Sequence, residues 1–161
     1  MSKEHLAIYL NDHLAGSLTA VEILEHLEAE ASDLMPDLGA LKSEIAADRD
    51  QLKALMERLG ISESRVRKVT SWIAEQVAEA KVEADDDTRG ALRRLERLEA
   101  LGIGIDGKSA LWCALNAAAE VAPDLRGIDY EHLTQRAREQ RGRVEILRLR
   151  AARLALVPEI I

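Results

Sequence analysis

Several side chains able to do chemistry stand where a helical face calls for an apolar residue. In "YLNDHLAGSLTAVE" Ser17 falls in the middle of an apolar stripe; Asp48 sits squarely on the stripe of a second segment, with Glu44 at its edge. Glu99 lies near a third stripe, and Gln140 and Arg143 mark a fourth. Inward carboxylates at helical spacing either hold a divalent cation or accept hydrogen bonds from a cationic side chain, because a buried charge left alone is costly. Glu44, Asp48 and Glu99 are therefore candidates for an interior carboxylate site that takes a metal or a small molecule. Arg143 and Glu44 are candidates for an internal ion pair with Gln140 beside them. Each lies off the centre of its stripe, so Arg143 extending to solvent is the plainer alternative.

The remaining reactive types give less. His13 shares the face of Ser17, but in a hairpin folded near Pro36 its level matches Leu55, roughly 10 Å or more along the axis from Asp48 and too far to share one metal. His26 and His132 point to polar faces; Glu22 and His26 are four apart on a solvated one. The single cysteine, Cys113 in "SALWCAL", excludes an internal disulfide framework and is expected to pack as an apolar residue. No glycine-rich phosphate loop or nucleophile elbow occurs, and "GIGIDG" continues a helical periodicity instead of following a strand. Nothing here carries an enzyme reading.

These residues are positioned by helices. A chain of 161 residues with 47% hydrophobic content, no phenylalanine and abundant alanine, leucine, glutamate and arginine has the composition of packed helices in one domain. The periodicity predicts core helices over about 3–32, 35–60, 88–121 and 129–157. Their stripes run through Leu10, Leu14, Ser17 and Leu24; Leu41, Ile45, Asp48, Leu52 and Leu55; Leu92, Leu95, Leu98, Gly102, Ile105, Ser109, Trp112 and Asn116; and Leu133, Ala137, Gln140, Val144, Leu147, Ala151 and Leu154. The third stripe holds its spacing through three glycines, which favours one long helix over a break at "GIGIDG". Asp129 is a good cap for the last helix, and Ser62 could cap a shorter crossover helix over about 62–83. Short links within two hairpins and a long, partly helical link between them make an all-α four-helix bundle with a crossover.

Charge is uneven: up to Asp87 there are 9 basic and 19 acidic residues, and beyond it 13 basic and 10 acidic, every base there except Lys108 being arginine. The guanidinium groups can pair with the acidic half within the chain or across a subunit boundary. A net charge of -7 argues against nucleic acid. With no apolar run of about 20 residues and no signal-peptide core, no membrane segment and a cytoplasmic location are expected.

The stretch "YLNDHLAGSLTA" resembles the first helix of bacterioferritins, in the ferritin-like superfamily. "EIAADRDQLKALMERLG" resembles their second helix, "GIDGK" part of the third, and "EQRGRVEIL" the metal-binding stretch of the fourth. The resemblance implies a ferritin-like four-helix bundle with a di-iron site built from one glutamate on each of two helices and a Glu-x-x-His pair on each of the others. The corresponding positions here are Ser17, Glu44, Ala47, Gly104, Gln140 and Arg143, which leaves one carboxylate. A neutral amide is a poor ligand and a guanidinium is none. The haem-binding methionine position is Ile45.

Ferroxidase activity, metal and cofactor are thus not expected. The expectation is a non-catalytic ferritin-like bundle, a structural or protein-interaction module forming a homodimer, with the apolar tail "LALVPEII" covered by its own bundle or a partner. In it Arg143 would supply the charge once supplied by metal, and Arg143→Ala should cost about 3 kcal/mol if it leaves Glu44 buried and alone. The alternative is a metal- or small-molecule-binding bundle using Glu44, Asp48 and Glu99.

Overall fold

The computed structural model describes residues 3–31, 36–64 and 87–157, and among them all regular structure is helical. Helix α1 spans Lys3–Ala31, α2 Leu38–Arg58, α3 Asp87–Ala119 and α4 Tyr130–Leu156, with a 3-10 turn at Pro123–Leu125. The crossover expected over 62–83 falls, from residue 65 onward, outside the described residues, as do the last four residues of the tail.

The ends follow local chemistry. At the close of α2, Gly60 takes a positive φ of 62°. That lets the Ile61 amide reach the Met56 carbonyl at 2.9 Å and the Gly60 amide the Glu57 carbonyl at 3.0 Å. This is a Schellman stop, and Ile61 and Met56 pack in the same apolar cluster as such stops usually require. Asp129 caps α4 by accepting from the His132 amide at 2.9 Å. Ser62, by contrast, is not helical; its carbonyl accepts from Asn11 Nδ2 at 3.1 Å, and Asn11 Oδ1 accepts from the Ser64 amide at 2.6 Å. A buried asparagine on α1 thereby fixes the chain where it leaves α2.

Helix α3 runs unbroken through Gly102, Gly104 and Gly107. Gly102 is buried, and a Cβ there would lie 3.3 Å from the Arg141 guanidinium, so the missing side chain admits the arginine from α4. Helices α3 and α4 are the most closely packed pair, while α1 packs against both α2 and α3. Backbones of α2 and α4 scarcely approach, so long side chains must close that seam.

The core comes in two clusters. One joins Ile23, Leu24 and Leu27 of α1 to Leu38 and Leu41, Leu98 and Leu101, and Val144 and Ala151. The other joins Leu10 and Leu14 to Leu52 and Leu55, Leu111 and Trp112, and Tyr130 and Leu133. The second half of α1 thus meets the first halves of α2 and α3, and α4 runs against α3 in the same way, giving two antiparallel hairpins. The stripes are largely buried as their spacing predicts, but at their ends Leu92, Asn116 and Leu154 are exposed; at the end of α3 the buried face runs through Leu115 and Ala119 in place of Asn116. No described helix is long and apolar enough to cross a membrane.

Candidate functional site

Between the two apolar clusters the bundle carries a layer of charge, and Asp48 is at its centre. The Asp48 side chain is 1% exposed and accepts from three donors. Lys108 Nζ on α3 lies 2.5 Å from Oδ2, Gln140 Nε2 on α4 lies 3.2 Å from Oδ2, and Arg136 of α4 binds Oδ1. Gln140, with no exposed surface, uses both ends of its amide. Its oxygen accepts from Lys108, and its nitrogen donates to Asp48 and, at 3.3 Å, to Glu44 Oε2. Arg143 closes the chain of contacts by binding Glu44 Oε2. Two carboxylates, one amide and three cations therefore span the seam where the backbones of α2 and α4 stay apart.

Lys108 shows the electrostatic tension of this layer. Burial pushes its pKa below the ordinary lysine value, and the neighbouring Asp48 carboxylate opposes that shift. The arrangement is chemically closed: Asp48 already has cations on both oxygens and faces the positive charges that would repel a metal ion. Among the described residues, no three His, Cys, Asp or Glu side chains are grouped to hold a metal.

The positions singled out in the sequence separate into three sets. Glu44, Gln140 and Arg143 come together, but the Arg143–Glu44 pair is at the edge, each side chain 35% exposed, while Asp48 is the buried acid. Ser17 and Gly104 line a cavity beside the layer; the Ser17 hydroxyl turns back to donate to the Leu14 carbonyl at 2.6 Å. Ala47 is exposed, because the inward face of α2 runs through Ile45 and Asp48. Glu99 belongs to another group, accepting at 3.3 Å from Arg148, which also holds Glu145. The trio Glu44, Asp48 and Glu99 is therefore split between two ion clusters.

Other expectations need correction or placement. Cys113 does not pack as an apolar residue: it is exposed, one position beyond buried Trp112, with Thr134 Oγ1 3.8 Å from its sulfur. His26 Nδ1 lies 2.7 Å from the Glu22 main-chain oxygen. His132 is exposed. His13 stands edge-on to Tyr9 with ring centroids 4.7 Å apart and lines the same cavity as Asp48; burial lowers its pKa, against the pull of Asp12.

Lys108 and Arg136 escaped the sequence reading, yet their phase was visible. Lys108 is three residues after Ile105 and four before Trp112, and Arg136 is four before Gln140, so both share buried faces. A lysine on a buried stripe opposite an aspartate on another is the signal that could have found the pair.

The cavity occupies about 280 Å³ between α1, α2 and α3. Its α1 wall is small, with Gly16, Ser17 and Ala20 beside His13; its α3 wall has Gly104 and Gly107 next to Lys108 and Trp112. Ile23, Leu52, Ile105 and Leu111 supply its apolar lining. Compared with known proteins, the chain matches no family description, no curated protein and no solved structure.

Proposed function

We propose that this chain is a non-catalytic ferritin-like helical bundle, a structural or protein-interaction module, in which cations fixed to the chain stand where a di-metal centre would otherwise be. The observation that carries this reading is the buried Asp48 enclosed by Lys108, Arg136 and Gln140. A carboxylate facing its neighbours across helices would favour a bound cation if it were open; here both of its oxygens already accept from donors, two of them cationic. The two hairpins and the long link between α2 and α3 are consistent with a ferritin-like layout.

Interaction is favoured by the outer face of α4. Ile146 is 55% exposed, and Leu149 and Leu156 join it there as large apolar side chains open to solvent; Leu154, at the end of the core stripe, is open as well. Such side chains gathered on one element are the usual mark of an association surface, and a second copy is the partner we favour. The test is paired: elemental analysis of protein purified with iron and manganese present, and molar mass by light scattering. Less than stoichiometric metal and a dimer are expected. A metal ion bound per chain would overturn the reading, and a monomer would remove the homodimer from it.

A further inference from the structure

The mid-bundle cavity has features that the ion layer does not account for. Gly104, Lys108 and Trp112 are spaced four apart on α3 and so form one column; the missing side chain at Gly104 opens space next to the lysine. A Cβ placed at Gly104, Gly107 or Gly16 would meet nothing within 4 Å. Close packing is the rule in protein interiors, and a cavity of about 150 Å³ already suffices for a benzene-sized molecule. The space here is larger.

Its polar lining includes buried donors without acceptors. Trp112 is 1% exposed, lines the cavity, and its indole N–H has no hydrogen-bond acceptor among the described residues. Lys108 has three N–H donors, two of them directed to Asp48 and Gln140. Arg49 also lines the cavity, with its Nε buried and lacking an acceptor. Asp48, the buried acid on this wall, is already occupied by three donors. Two carboxylates, Asp12 and Asp48, line the cavity together with the cations Lys108 and Arg49 and with His13, while the buried N–H groups of Trp112 and Arg49 lack acceptors. What the cavity lacks is an acceptor for these buried N–H groups, carried on an apolar body.

We propose that this cavity is a binding site for a small apolar carboxylate, with its hydrocarbon part among Ile23, Leu52, Ile105 and Leu111 and its carboxylate directed to Lys108 and the Trp112 N–H. The volume admits a medium-chain aliphatic acid or a two-ring aromatic acid, and the shared chemistry is a hydrocarbon with one carboxylate. This site is independent of metal content and of subunit association.

The test is calorimetric titration of the full chain with decanoate, 2-naphthoate and, as the uncharged control, decanol. Tryptophan fluorescence of the Trp72→Phe variant, in which Trp112 is the remaining tryptophan, gives a second readout. One carboxylate per chain should bind, with a shift in Trp112 emission and at least about tenfold preference over decanol. Preference for decanoate or for naphthoate distinguishes an aliphatic from an aromatic ligand. Gly104→Leu and, from the opposite wall, Gly16→Leu should each weaken binding about tenfold or more while the circular dichroism stays helical. Lys108→Met should remove the preference for acid over alcohol. Absence of carboxylate binding, equal binding of decanol, or binding unchanged when folded Gly104→Leu and Gly16→Leu proteins are titrated would each overturn the proposal.

Discussion

Asp48 decides how the interior is read at the scale of single residues. Breaking a buried, multiply paired carboxylate typically costs 3 kcal/mol or more, because the partners keep their desolvation cost after the pairing is gone. Asp48→Ala should therefore lower the unfolding free energy by about 3 kcal/mol in urea titrations. Lys108→Met leaves Asp48 with Arg136 and Gln140 and should cost less. The double variant should fall short of the sum by about 1 kcal/mol or more, the sign of direct coupling. Arg143→Ala belongs to a different class: with both side chains of that pair about a third exposed, its loss should cost only about 0.5–1 kcal/mol, well short of the 3 kcal/mol expected for a buried pair. His13 adds a pH dependence. Its folded pKa lies below the ordinary value of 6.5, so protonation favours the unfolded chain, and stability is lost as pH falls from 6.5 toward the folded pKa. An NMR titration of the His13 ring should find its midpoint below 6.5.

At the scale of the elements, α3 is the helix with most to gain. Glycine in a helix interior costs roughly 1 kcal/mol relative to alanine, and Gly104 and Gly107 have open space around a Cβ. The double change to alanine should raise the melting temperature by several degrees, at about 0.5–1 kcal/mol per site. Gly102→Ala should gain less, since its Cβ must displace the Arg141 guanidinium. On α4, Glu145 is held at a pKa of about 2, first by hydrogen bonds from Arg148 and then by those from Arg141. Its folded value lies below its ordinary 4.5, so the stability it contributes is present above pH 4.5 and lost as pH falls toward 2. Glu145→Gln should flatten that part of the acid unfolding profile, measured by urea midpoints across the same range.

Helix positions and most of the core were legible because the three-four spacing of leucines survives even where glycine weakens the helix. Asp48 could be placed on its stripe by the same counting. What counting one helix at a time cannot supply is the level at which two helices meet, and so the pairing of Asp48 with Lys108 was missed. The ferritin-like resemblance draws attention to Glu44 and Arg143 at the edges of their stripes, whereas the phase of α2 puts Asp48 inward and Ala47 outward. The cavity was illegible for a further reason: Gly16, Ser17 and Gly104 read as departures from a ligand pattern, and only packing shows that they leave room.

Over the whole molecule, two apolar clusters are joined by a charged belt, and the two hairpins differ sharply in which base they use. The α1–α2 part contains lysines at 3, 42 and 53, whereas beyond Asp87 the one lysine is Lys108, its side chain 13% exposed. Guanidinium groups do not react as amines do. Acetylating enzymes, ubiquitin ligases and amine-reactive cross-linkers consequently find handles on the first hairpin and almost none on the second. A cross-linking map made with such reagents would portray half of this protein, however the other half were arranged.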